Sequence, residues 1–264
     1  MTAGKTARLD RIGRDGRFVT IPMDHGITMG PVRGLVDIEA TIDAVTRGGA
    51  DAVLTQKGIA SRVHPNKNGK GYIVHLNGST TIGPDENDKR VTGTVEDAVR
   101  AGADAVSFHI NVGSVHEPDQ IADLAELTTE ADRLGMPVLA MAYARGPGVD
   151  EHDAENLGHA VRLAEELGAD VVKTAYSGDA ESFEHVANAA RLPVIIAGGS
   201  PQGDLATLEN VQGVIEAGGA GVSMGRTIFQ HDDPYAMTSA VAAVVHDEVD
   251  PETALREAGL AVEA

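Results

Sequence analysis

The sequence predicts a single (β/α)8 barrel over residues 1–264, with residues 1–16 as an N-terminal extension. Three observations predict it. A short unit recurs four times: "GGADAVLTQ" from Gly48, "AGADAVSFH" from Ala101, "LGADVVKTA" from Leu167 and "AGGAGVSMG" from Ala217. Between the glycines at 49, 102, 168 and 219 the intervals are 53, 66 and 51 residues, each with room for two strand–helix units. Aromatic residues make up 3% of the chain and tryptophan is absent, which suits barrel layers filled by valine, isoleucine and alanine.

Each recurring unit places a glycine at the end of a helical pattern and then a short apolar run. The glycine fits a helix C-cap, and the run fits a strand buried on both faces. Four further strands fall between these units, at Phe18–Pro22, Ile73–Leu76, Pro137–Met141 and Pro193–Ala197. Amphipathic stretches such as "DQIADLAELTTEADRLG" and "ENLGHAVRLAEELG" follow the strands and supply the outer helices. No linker or low-complexity segment interrupts the alternation.

Composition narrows the function. The absence of cysteine excludes disulfides, thiolate metal sites and a cysteine nucleophile. The opening "MTAGKTARLDRIGRDGR" lacks the apolar run of a signal peptide, and no stretch approaches the roughly 20 apolar residues of a membrane helix, so a cytoplasmic protein is expected. Forty acidic against 21 basic residues give a net charge of −19, which argues against nucleic acid or an anionic membrane as partner. Only six residues are lysine, and an acidic, lysine-poor surface points to a protein working in concentrated salt. The 10 histidines show no tight ligand spacing, so neither a metal nor another cofactor is expected, and a metal-dependent enzyme ranks low.

Barrel enzymes gather their chemistry at the C-terminal ends of the strands. Those ends read "PMDHG", "TQKG", "HLNGST", "FHINVG", "MAYARG", "VKTAYSGD", "AGGSPQG" and "SMGRTIF" in order. Lys173 stands out there. A lysine with its stem in an apolar wall can supply a neutral amine that attacks a carbonyl and forms a Schiff base; a structural ion pair with Asp24 is the alternative. Lys57 also ends a strand, but a polar loop follows it. Lys5, Lys67, Lys70 and Lys89 fall in the N-terminal tail or in polar loops.

The glycine-rich ends of strands seven and eight, with Gly198, Gly199, Gly225 and Arg226, suit a phosphate. Backbone N–H groups approach it closely, Arg226 adds charge, and the next helix N-terminus adds a favourable dipole. Asp24 and Tyr143 supply a carboxylate and a phenol for the proton transfers of aldol chemistry, although Asp24 as a loop cap and Tyr143 as a core aromatic are the plainer roles. Lys57, Asn77, Ser79 and His109 are the candidates for holding an aldehyde acceptor.

Together, "PMDHG", "HLNG", "MAYARG", "ELGADVVKT", "YSGD", "AGG" and "GRTIFQHDD" resemble the archaeal-type class I aldolases from about Arg11 to about His246. The resemblance implies a Schiff-base lysine at Lys173, a proton acceptor at Asp24 and a proton donor at Tyr143. It also implies phosphosugar contacts at Asp24, His25, Gly26, Ile27, Thr28, Tyr143, Ala144, Arg145, Gly198, Gly199, Gly225 and Arg226. Ala144 departs from the proline common there and removes no reactive group. The family includes fructose-bisphosphate aldolases, which tend to carry "YDHG", a tryptophan two residues before the tyrosine, and "YP" in the strand-four loop. Met23, Met141 and the pair Asn111 and Val112 stand at those places here. They side with a synthase branch of early aromatic amino acid biosynthesis, which moves a ketose fragment from 6-deoxy-5-ketofructose 1-phosphate to L-aspartate 4-semialdehyde. The resemblance further implies a homo-oligomer, a multi-subunit, decameric ring. A silent phosphosugar-binding barrel with Lys173 in an ion pair is the reading from another class.

Overall fold

The computed structural model describes residues 2–199 and 202–262. Eight parallel strands close into a barrel: β1 (Phe18–Pro22), β2 (Ala52–Gln56), β3 (Gly71–His75), β4 (Ala105–Val112), β5 (Val138–Ala144), β6 (Val171–Thr174), β7 (Val194–Ala197) and β8 (Gly221–Ser223). Neighbours in sequence are neighbours in the sheet, and β8 pairs with β1, Phe18 opposite Gly221. Helices that follow the strands cover the outside. Several start on aspartate caps: Asp37 accepts from Ala40 N–H, Asp153 from Asn156 N–H and Asp179 from Ser182 N–H.

Strand periodicity divides the core in two. Phe18, Ala52, Leu54, Ile73, Ala105, Leu139, Met141, Tyr143, Val171 and Ile195 fill the barrel interior, while alternate residues such as Val19, Val53, Val74 and Val172 pack outward under the helices. β4 and β5 run further than the sequence predicts. Their ladder continues in register to Val112 opposite Ala144, so Tyr143 and Ala144 belong to the strand rather than to the loop after it.

The N-terminal extension is a helix, Ala3–Ile12, capped by Thr2. Its Ile12, 2% exposed, enters the barrel from below and joins the interior cluster, a burial that stabilises by roughly 2 kcal/mol. Lys5 corrects the expectation of a solvated tail lysine, because its ammonium is buried 3.0 Å from Asp170 and 3.5 Å from Asp132.

The recurring Gly-Ala-Asp unit has a structural reason. Asp51 Oδ2 accepts from Val19 N–H at 2.8 Å, Asp104 Oδ2 from Tyr72 N–H at 3.0 Å and Asp170 Oδ2 from Val138 N–H at 2.9 Å. Each aspartate's own N–H donates to the carbonyl of that same partner residue. A basic group then meets each carboxylate: His246 at 2.9 Å on Asp51, Arg11 at 2.6 Å on Asp104, and Lys5 on Asp170. The fourth unit has Gly221 instead. There φ is +126°, and a Cβ would lie 2.2 Å from the Phe18 carbonyl oxygen, so only glycine lets β8 close against β1.

Between β3 and β4 the chain makes an excursion the sequence reading treats as plain loop. Asn77–Gly78 pairs antiparallel with Arg90–Val91, and residues 79–89 lie at the C-terminal end of the barrel. Gln120 and Asn111, both buried, hold its Asn87 carbonyl at 2.6 and 3.3 Å, and Thr81 N–H donates to the Thr28 carbonyl.

Candidate active site

Lys173 lies inside the barrel mouth. It follows Val171 on the inward face of β6, is 6% exposed, and sits in register between Met141 and Ile195, so apolar side chains flank its stem. Asp24, two residues beyond the end of β1, is the carboxylate that faces it. Its Oδ2 is 3.7 Å from His75 Nε2 and its Oδ1 is 3.6 Å from His25 Nδ1, distances too long for hydrogen bonds. Asp24 Oδ1 and His25 Nδ1 are buried polar atoms without partners among the described residues. Buried polar atoms are usually satisfied, so this pair marks a polar site open to a further partner.

Burial alone would raise the Asp24 pKa, but His75, His25 and Lys173 together outweigh it and hold the carboxyl below its usual range. The three histidines around the mouth shift downward. Burial is the first cause for each, opposed at His75 and His25 by Asp24 and reinforced there by Lys173. At His109 burial is joined by Lys89 and Arg145, and its pKa falls well below the ordinary value. At neutral pH the site is therefore an ionised carboxylate among neutral imidazoles. His75 is oriented by Ser107, whose Oγ lies 2.7 Å from its Nδ1, which leaves Nε2 to face Asp24.

Tyr143 closes the other side. Its ring packs 5.0 Å from that of His109, and the Arg145 guanidinium carbon stands 4.4 Å from the ring centroid. A buried lysine, an ionised carboxylate and a phenol at the mouth of one barrel match the needs of Schiff-base aldol chemistry.

A family model for DeoC/LacD family aldolases matches residues 18–231. The chain belongs to that family. It is 72% identical over 262 residues to the 2-amino-3,7-dideoxy-D-threo-hept-6-ulosonate synthase of Halobacterium salinarum, covering 99% of each chain. It is 39% identical to synthase 1 of the same name from Archaeoglobus fulgidus, covering 97% of this chain and 96% of that one. Among solved structures, an archaeal fructose-1,6-bisphosphate aldolase with its catalytic lysine bound to the carbinolamine intermediate matches with a TM-score of 0.85. The identity there is 32%, over 91% of this chain and 99% of that one.

In this aldolase the phosphate candidates also converge. Gly198 and Gly199 follow β7, and Gly225 and Arg226 follow β8; Arg226 Nη2 lies 3.4 Å from the Gly199 carbonyl and Thr227 Oγ1 3.4 Å from that of Gly198. A side chain at 225 would place its Cβ 2.5 Å from His25 Cε1 and 2.9 Å from the Pro22 carbonyl, so glycine is required where β8 meets the loop after β1. A cleft of about 260 Å³ beside these turns is lined by Arg33, Gln202, Thr207 and Arg226 among others. The helix after β8 is a single turn, Arg226–Phe229, and its dipole is correspondingly small.

Other sequence assignments are redistributed. His25, Gly26, Ile27 and Thr28 form part of a short helix, His25–Met29, with the His25 ring edge-on to Phe229 at 5.1 Å and the Thr28 carbonyl holding Thr81. Ala144 packs outward into the helix layer, so its side chain faces away from the mouth and only its backbone is available there. Of the acceptor candidates, His109 alone faces Tyr143. Lys57 is taken up by Asp97 at 2.6 Å. Asn77 is fully buried, bonding His109 N–H at 2.9 Å and the His109 carbonyl at 2.8 Å, and so bridges strands. Ser79 accepts from Lys89 Nζ at 2.7 Å and donates to the Glu86 carbonyl at 2.6 Å.

His75, Ser107 and Lys89 are polar residues at this end of the barrel that the sequence reading leaves without a role. The strand period was the available signal for two of them, because Ile73 and His75, like Ala105 and Ser107, share the inward face.

Proposed function

We propose that this chain is a 2-amino-3,7-dideoxy-D-threo-hept-6-ulosonate synthase, a lysine Schiff-base transferase working as one (β/α)8 domain. The observation that carries the chemistry is Lys173, buried inside the mouth opposite Asp24, whose Oδ1 has no partner. The Lys173 amine adds to the ketone of 6-deoxy-5-ketofructose 1-phosphate, and the carbinolamine loses water to give an iminium, with Tyr143 donating the proton that hydroxide departure needs. Asp24 then takes the proton of the hydroxyl β to the iminium carbon. The adjacent carbon–carbon bond breaks, its electron pair moves into the iminium, and the phosphorylated three-carbon aldehyde leaves behind a lysine-bound enamine.

The enamine carbon attacks the aldehyde of L-aspartate 4-semialdehyde, the new alkoxide takes a proton, and water releases the seven-carbon amino keto acid from Lys173. The turns at Gly198, Gly199, Gly225 and Arg226 hold the phosphate. His75 faces the Asp24 carboxylate and lowers its pKa.

The near identity in length and the 72% identity to the Halobacterium salinarum synthase support this reading over a fructose-bisphosphate aldolase. Borohydride added with the ketose phosphate should leave a permanent adduct on the wild type and none on Lys173→Met. Mixing both substrates should give the seven-carbon product by mass. Efficient cleavage of fructose 1,6-bisphosphate without that product would overturn the synthase reading, and adduct formation on Lys173→Met with its loss on Lys57→Met would move the nucleophile.

The same proposal extends to habitat and assembly. The net charge of −19 and the halobacterial relative support a cytoplasmic protein that needs salt, and among the described residues no helix is long and apolar enough to cross a membrane. Exposed Val36, Ile82 and Val115 support association into a homo-oligomeric ring, a decamer by family resemblance. Light scattering in molar salt tests both points.

A further inference from the structure

Two polar residues on the inward face of the wall stand opposite each other, and neither has a step in the chemistry above. His75 ends β3 and pairs in register with Ser107 on β4; both are buried, at 3% and 0% exposure. Ser107 Oγ lies 2.7 Å from His75 Nδ1, and the far nitrogen, Nε2, faces Asp24 Oδ2 at 3.7 Å. A buried hydroxyl, an imidazole and a carboxylate thus lie in one line.

Charge selects the nitrogen that carries the hydrogen. Burial first, and Lys173 after it, outweigh Asp24 and hold the His75 pKa below its ordinary value, so the ring is neutral and has a single N–H. An ionised carboxylate only accepts, and a ring lone pair turned towards it would be repelled. The hydrogen therefore belongs on Nε2, and Nδ1 accepts from the Ser107 hydroxyl, which rotates to donate.

The two oxygens of Asp24 are not equivalent. Oδ2 faces His75, whereas Oδ1 is buried without a partner among the described residues, with the equally unpartnered His25 Nδ1 at 3.6 Å. The contact with His75 is too long for a hydrogen bond, as catalytic contacts often are before substrate binds, and a shift of about 0.7 Å brings it into range. We propose that Ser107 and His75 form a positioning chain that grips Asp24 Oδ2 in the substrate complex and leaves Oδ1 as the oxygen that takes the substrate hydroxyl proton. The assignment rests on the Schiff-base reading of Lys173 and Asp24 given above, whichever aldehyde the enamine then attacks. In the cleavage step the substrate O–H proton passes to Oδ1, the O–H electrons form the new carbonyl, and the carbon–carbon pair moves into the iminium. Oδ2 keeps its bond from Nε2–H throughout, so neither His75 nor Ser107 gains or loses a proton.

His75→Leu tests the chain. Its kcat for ketose phosphate cleavage should fall on the order of 10- to 100-fold, the cost of a misplaced catalytic group, with KM for the ketose within about 3-fold. Borohydride trapping on Lys173 precedes proton removal by Oδ1 and should not fall. His75→Gln returns an N–H donor near the place of Nε2 and should recover kcat to within about 5-fold of wild type, and Ser107→Ala should cost roughly 3- to 10-fold, one neutral hydrogen bond. Tyr72→Phe, on the outward face of the same strand, is the control: it loses a buried bond to Thr55 Oγ1 at 3.0 Å, so Tm should drop and kcat stay. A leucine variant that behaves like this control, or a glutamine variant no better than leucine, overturns the chain. Should His75→Leu fail to fold, an unchanged kcat in Ser107→Ala overturns it.

Nitrogen-15 spectra of histidine-labelled protein read the tautomer without turnover, the His75 signals being those missing from His75→Gln. A protonated Nε2 beside a bare Nδ1 supports the chain, and a proton on Nδ1, alone or with one on Nε2, overturns it. Failure of the transfer reading looks different. Cleavage of fructose 1,6-bisphosphate that depends on His75, with no seven-carbon product, removes the transfer and leaves the chain, whereas undiminished seven-carbon synthesis by His75→Leu removes the chain and leaves the transfer.

Discussion

Replacing Tyr143 by phenylalanine removes one oxygen from a ring that is 7% exposed. The ring packs at a tilt against His109, centroids 5.0 Å apart, and the Arg145 guanidinium carbon stands 4.4 Å from its centroid. Phenylalanine keeps that face, and a cation over an aromatic ring is worth only about 0.5–2 kcal/mol, most of which survives the change. The fold should therefore lose less than about 1 kcal/mol, within the range of volume-conserving core substitutions. Catalysis should lose far more. A positioned general acid contributes on the order of 10² to 10⁴ in rate, which at about 1.4 kcal/mol per factor of ten is roughly 3–5 kcal/mol of barrier. Steady-state kinetics should show that loss in kcat with KM for the ketose nearly unchanged, and rapid-quench borohydride trapping should show slow iminium formation. A variant altered in KM alone would remove Tyr143 from proton transfer, and one with a lowered melting temperature would make it a packing residue.

Two further outcomes follow from groups away from that hydroxyl. Lys5→Met leaves Asp170 buried with only the Val138 N–H as partner, so about 3 kcal/mol of stability and roughly 6–12 °C in Tm should disappear while kcat, set at the opposite end of the barrel, stays put; an unchanged Tm would refute the buried pair. The native state disfavours protonation of His25, His75 and His109, whereas the unfolded chain binds those protons near pH 6.5. Their contribution to stability is complete above about pH 6.5 and is lost as pH falls below it. Urea midpoints at constant high salt should drop between pH 7.5 and 5.5 by a smaller amount in His109→Gln than in the wild type, and equal drops would contradict the assignment.

How far the sequence alone reached depended on how local each signal was. β1 was placed at its true ends because an apolar run stops at Pro22 and Asp24, and the four recurring units announced their strands through adjacent glycines. The ends of β4 and β5 were set by pairing with each other, Ile110 opposite Ala142 and Val112 opposite Ala144, which no single segment encodes. Lys173, Asp24 and Tyr143 were legible because strand-end position and residue type coincide. Lys89 was not, since its loop is folded over by Gln120, Asn111 and Thr28, all distant in sequence, and its own surroundings "DENDKR" read as solvated. Lys5 was missed for the converse reason: a lysine near the start of the chain reads as exposed until its aspartate partners, far along the sequence, are in place.

The aspartate bridges at the floor of the barrel have a topological consequence. Each spans the same 32 positions and ties an even-numbered strand to the odd strand before it, so three quarter-turns of the wall are joined by contacts between close stretches of chain. The fourth quarter has no such bridge, and the seam between β8 and β1 joins residues near opposite ends of the sequence, the contact with the greatest loop-closure cost. The reaction centre is divided along that line. His75, His109, Tyr143 and Lys173 stand on the locally tied strands, whereas Asp24, Gly225 and Arg226 flank the seam. On the assignment proposed for Lys173 and Arg226, a phosphorylated substrate joined to the one and gripped at the other reaches towards the seam from the tied strands, and a ligand that binds only the closed barrel adds its binding free energy to closure. On that assignment substrate acts as a staple for the join with the longest intervening chain, and the barrel is held shut most firmly while it is at work.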